Sequence, residues 1–123
     1  MDNCSCVYVD LDEVQPDFFS QRTPTARKPH KCHECHRDIL SGEKYEYVIG
    51  KWEGEFNTWK TCSDCLSIRK SFFCEGYYFG GLFECLYEHI LDMNGEISSD
   101  CLTPLTKVAR DKVCDMIEEV WQD

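Results

Sequence analysis

The sequence predicts an α+β protein organised around one zinc lobe, and three observations carry that expectation. Two Cys-x-x-Cys pairs, Cys32/Cys35 and Cys62/Cys65, flank a stretch with strand character. A segment with the composition of a helix follows the second pair at once, and two more apolar stripes at helical spacing occupy the C-terminal third. The expected organisation is an extended N-terminal arm over residues 1–29, a treble-clef-like zinc lobe over 30–74 (knuckle, β-hairpin, helix), and C-terminal helices over 75–123 packed on it.

The arm reads as mostly irregular because Pro16, Pro24 and Pro29 each deny a helix a backbone donor, and Asp17 to Ser20 reads as a turn at most. Ser41-Gly42-Glu43 is a turn signal leading into Lys44-Tyr45-Glu46-Tyr47-Val48-Ile49, aromatic and β-branched enough for a strand. Gly50 to Gly54 breaks that pattern, and Glu55 to Thr61 alternates as a return strand does. A helix is expected to open at Cys65 and run to Phe73, its N-terminus favouring thiolate charge. Past the glycine- and aromatic-rich stretch from Gly76 to Gly81, residues Leu82, Phe83, Leu86, Ile90 and Met93 repeat at helical spacing, with Asn94-Gly95 as C-cap. The last helix is expected to start from Thr103 as N-cap and Pro104 at its first position, with Leu105, Val108, Ala109, Val113, Met116, Ile117 and Val120 as its apolar stripe.

The four cysteines at Cys32, Cys35, Cys62 and Cys65 match what zinc requires, four soft donors in two short-range pairs on a hairpin scaffold. Four protein ligands leave no open coordination position, so the expected ion is structural and not catalytic. His30, His33 and His36 crowd the first pair and read as its neighbours, not its ligands. Of the other cysteines, Cys4, Cys6, Cys74 and Cys85 form a candidate second metal set, with Cys85 and His89 on one helical face, while Cys101 and Cys114 read as core.

The ten cysteines make compartment a question, and the start of the chain bears on it. Met1 to Cys6 has no basic or apolar leader, which argues for a reducing cytoplasm where paired cysteines bind metal more often than they bridge. No run is long and apolar enough for a membrane helix.

Net charge is −10, unevenly placed: residues 20–70 hold ten Lys/Arg against seven Asp/Glu, and the remainder three against sixteen. An acidic surface disfavours nucleic acid and favours a protein partner. Trp52, Phe56 and Trp59 are the candidate partner contacts, and the basic residues between 22 and 70 are the candidate phosphate contacts of an alternative, nucleic-acid-binding reading. Catalysis is not expected. A nuclease on this scaffold needs a histidine general base on the hairpin and another metal-binding residue on the helix, and neither Lys44–Thr61 nor Leu66–Phe73 contains a histidine.

Several segments carry a family likeness: Thr25 to Cys32, Ser41 to Glu46, Gly50 to Phe56, Trp59 to Cys62, Tyr78 to Leu82 and Arg110 to Glu118. In these the chain resembles a group of small hypothetical zinc-binding proteins of tailed phages and prophages. The resemblance implies an intracellular setting in an infected or lysogenic bacterium, the bacterial host cytoplasm, and brings no activity with it. A host protein or defence complex as partner is expected instead from the small size, the acidic surface, the closed metal site and the aromatic residues. His36 stands where that group often has glycine.

Overall fold

A computed structural model describes residues 4–7, 9, 18–74, 77 and 79–122. Within them the protein is α+β, with a three-stranded antiparallel sheet, a two-stranded sheet and four helices.

The central hairpin pairs β4 (Tyr45–Trp52) with β5 (Glu55–Cys62), Tyr45 opposite Cys62 and Trp52 opposite Glu55. The turn is only Glu53-Gly54, both with positive φ, the two-residue geometry that matches the twist of paired strands. Gly50 is therefore not a breaker. It lies within β4 because the Trp52 indole folds back over it, and a Cβ there would stand 2.3 Å from the ring. The free edge of β4 recruits β1 (Phe18–Arg22), antiparallel, with Arg22 opposite Tyr47. This strand replaces the turn expected at Asp17 to Ser20, of which Asp17 and the preceding Pro16 lie outside the described residues. Its sequence has no alternation of its own, and the neighbouring strand supplies the order.

Ahead of the hairpin, β2 (His30–Lys31) pairs with β3 (Asp38–Ile39). After it, α1 (Ser63–Phe72) begins two residues earlier than expected, because Cys62 acts as N-cap and its sulfur accepts the Cys65 amide at 3.4 Å. Helix α2 (Leu82–Asp92) ends as its sequence predicts: Asn94 and Gly95 have φ of 56° and 75°, and the Gly95 amide bonds the Ile90 carbonyl. A short helix, α3 (Ser99–Leu102), precedes α4 (Lys107–Gln122). The cap of α4 is Thr106, not Thr103: the Ala109 amide donates to Thr106 Oγ1, whose own proton goes to Asp64 on α1. Thr103 and Pro104 form the turn between α3 and α4.

The core lies where α1 meets the other helices, with Ile68, Phe72, Leu86, Ile90 and Val113 all fully buried. No described helix is long and apolar enough to cross a membrane.

Candidate metal centre

Cys32 and Cys35 occupy the tight turn between β2 and β3, closed by bonds from the Cys32 amide to the Arg37 carbonyl and from the His36 amide to the Cys32 carbonyl. His36 sits at φ 65°, the left-handed conformation that glycine adopts freely and a histidine adopts at some cost. Cys62 ends β5 and Cys65 lies in the first turn of α1, so the second pair is placed by the strand-to-helix junction. The four sulfurs lie within 4.8 Å of one another, with Cys32 to Cys65 at 3.8 Å and Cys35 to Cys62 at 3.7 Å. A tetrahedron with metal–sulfur bonds of about 2.3 Å has sulfurs about 3.8 Å apart, so the spacing fits one ion and the four cysteines can hold it.

Backbone amides prepare the sulfurs for negative charge. Glu34 and Cys62 amides point at Cys32 Sγ, each at 3.4 Å. Hydrogen bonds from the Cys62 and Cys65 thiols hold Cys32 well below the usual thiol range; sharing with Cys32 pushes Cys62 up to about 12 and Cys65 up as well. Four thiolates this close repel one another, and a bound cation would offset that repulsion.

Three neighbours fix the two halves of the centre. Arg37 pairs with Glu43 and, through Nε at 3.1 Å, with Asp64 on α1. His33 donates its amide to the Lys60 carbonyl while its Nδ1 accepts the Lys60 amide, stitching the first turn to β5. Glu34 accepts the amides of Gly80 and Leu82, docking α2 on the centre.

The remaining candidate residues separate in space. Cys4 is bridged to Cys101 and Cys6 to Cys74, so two cystines stand in the same chain as six unbridged cysteines, the four of the cluster with Cys85 and Cys114. Cys101, read as core from sequence, is 2% exposed and takes the place beside Cys4 that the sequence reading gave to Cys85. Trp52 and Trp59 lie on the inner face of the sheet around Phe79, Trp59 stacking on it at 5.6 Å, while Phe56 is 64% exposed. Also on the inner face, Glu46 and Arg69 form a buried ion pair joined by Gln21, with Arg69 stacked on Tyr77.

Sequence reasoning named a basic face around residues 22–70 but did not place it on one side of the sheet. By register, Ser20, Arg22, Tyr45, Tyr47, Ile49, Lys51, Phe56, Thr58 and Lys60 share that face. All three basic residues of these strands lie on it, and both their glutamates, Glu46 and Glu55, lie on the other. Arg22 and Lys60 stand over Tyr47 at 5.0 and 5.7 Å, and Lys51 over Phe56 at 5.6 Å. The face runs into an open groove of about 1080 Å³ whose charge comes from Arg22, Arg27, Lys28 and Lys60 and whose lining includes Tyr45 and Tyr47. Only strand pairing reveals this sorting, since along the chain acidic and basic residues intermingle.

No protein-family model matches the chain, and no curated protein or solved structure matches it either.

Proposed function

We propose that Cys32, Cys35, Cys62 and Cys65 hold one structural zinc ion in a treble-clef-like lobe, and that the chain is a non-enzymatic module that binds single-stranded nucleic acid across its sheet. The order of turn, hairpin and helix-opening cysteine supports the lobe, and zinc's preference for four thiolates supports the metal. When bound, the ion supplies folding energy and no open position for substrate.

The observation that carries the nucleic-acid reading is the sorting of charge on the sheet. In a chain of net charge −10, this face carries lysine, arginine, the exposed Phe56 and the half-buried Tyr47, and no carboxylate. Backbone phosphates pair with the cations while unstacked bases find aromatic and guanidinium planes, the combination that single-strand binders use. A paired duplex presents no free base faces and suits this surface less well. The test is fluorescence anisotropy with labelled oligonucleotides over a salt series. Single-stranded oligomers bind more tightly than duplex, and affinity falls as salt rises; equal affinity for both, or none at low ionic strength, overturns the reading.

A second reading keeps a protein as partner. It is supported by the acidic helices and by exposed Leu91, Val108 and Trp121 upon them. The setting in a phage-infected bacterium rests on the motif resemblance alone. Recovery of a stoichiometric partner that charge reversal on α4 abolishes would favour it.

A further inference from the structure

The four cysteines that the structure joins in pairs converge on the C-terminal end of α1 from three parts of the chain. Cys4 Sγ lies 3.5 Å from the Ser71 carbonyl oxygen, Ser71 Oγ donates to the Cys101 carbonyl, and Cys74 lies just past the helix. The Cα separations are 4.9 Å for Cys4 and Cys101 and 5.7 Å for Cys6 and Cys74. Cys4 and Cys6 are two residues apart, a span of at most about 7 Å. Three short steps therefore connect all four positions. Reduction frees each sulfur to rotate, and a zinc site requires the four to reach a spacing of roughly 3.8 Å.

We propose that Cys4, Cys6, Cys74 and Cys101 hold a second zinc ion in the reduced protein, and that the two bridges are the oxidised state of that site. Two observations favour a site with two states over a pair of permanent cystines. Val7 is fully buried, yet the described backbone hydrogen bonds tie its segment to the rest only through its amide to the Phe72 carbonyl, so the segment needs a tether in either redox state. Near one end of the Cys4–Cys101 bridge, His89 Nε2 is buried without a hydrogen-bond partner among the described residues and lines a cleft with Ser5 and Cys101, a metal-donor type close to Cys101. Cys74 is exposed, which admits reductant, oxidant and metal.

The exchange balances with a peroxide as oxidant. One tetrathiolate zinc, two hydrogen peroxide molecules and four protons give free zinc, two disulfides and four waters. Each sulfur gives up one electron, each peroxide takes two, and the O–O bonds break as the S–S bonds form. A thiol or phosphine reductant drives the reverse, releasing four thiols that bind zinc as they lose their protons.

This site is independent of the nucleic-acid reading, and the metal count distinguishes it from the first centre. Native mass spectrometry of the full chain, reduced with a phosphine and given zinc alone, is expected to show two ions. Cys6→Ser and Cys32→Ser each show one, and only Cys32→Ser still loses its ion to stoichiometric peroxide with the gain of two disulfides. Cobalt substitution of the unaltered chain gives a reading that needs no variant: thiolate charge-transfer absorbance saturates at two cobalt ions per chain. Saturation at one ion in fully reduced protein, or two ions in Cys6→Ser, overturns the proposal.

Discussion

Glu34, between the two cysteines of the first pair, accepts the backbone amide of Leu82 at 3.2 Å, and its other oxygen accepts Gly80 at 3.0 Å. One carboxylate thus satisfies amides at the start of α2 and fixes that helix to the metal centre.

Glu34→Ala removes this cap and is expected to lower stability by about 1–2 kcal/mol, while Glu34→Gln, which keeps an acceptor, costs less. Urea unfolding of the zinc-loaded protein measures both. Equal losses in the two variants would show that the charge, and not the hydrogen bonds, matters.

The Glu46–Arg69 pair is the most deeply buried ion pair described, its side chains 4% and 7% exposed. Arg69→Met strands Glu46 in the interior and is expected to destabilise by about 3–5 kcal/mol, whereas replacing both residues with apolar ones of similar volume costs less than the single change. A double-mutant cycle on unfolding free energies checks this.

His33 holds its stitch to β5 only while neutral, since Nδ1 accepts the Lys60 amide. Burial first, and the Lys60 charge second, lower its pKa below 6.5. A lowered folded pKa means the unfolded chain binds the proton more readily, so this contribution is complete above about pH 6.5 and declines as pH falls below it. Imidazole resonances followed by NMR should place the His33 midpoint below that of a histidine in the unfolded chain.

On the proposed single-strand binding by the outer face, Lys60→Ala is expected to remove one phosphate contact and reduce the slope of log affinity against log salt by about 0.7. Phe56→Ala removes a stacking surface and is expected to weaken binding by about 1–3 kcal/mol with the slope unchanged. Anisotropy titrations at several salt concentrations separate the two effects.

His36→Gly relieves the positive φ after Cys35 while adding chain entropy to the unfolded state, and the balance is expected to be a gain of up to about 1 kcal/mol with zinc affinity retained. Loss of metal on this change would show that the imidazole itself supports the site.

What was legible in the sequence was local chemistry. The two Cys-x-x-Cys pairs and the Asn94-Gly95 cap depend on residues within a few positions of one another, and the spacing announces them. What stayed hidden was set by partners far along the chain. Phe18–Arg22 is a strand because β4 offers it an edge, Gly50 is a seat for an indole, and Thr106 caps α4 because Asp64 receives its proton. Cys62 as a helix cap was obscured for a different reason: sulfur stands where serine or aspartate usually signals a start. The basic residues between 22 and 70 were legible, but their grouping on one sheet face was not, because only the register divides lysines from glutamates.

The links made by Cys4 and Cys6 reach across 97 and 68 residues, whereas the four sulfurs of the central cluster fall within residues 32–65. During synthesis the central cluster can therefore assemble soon after α1 leaves the ribosome. The segment holding Cys4 and Cys6 must wait until Cys101 has been made before its anchorage is complete, although it is synthesised well before the residues it would join.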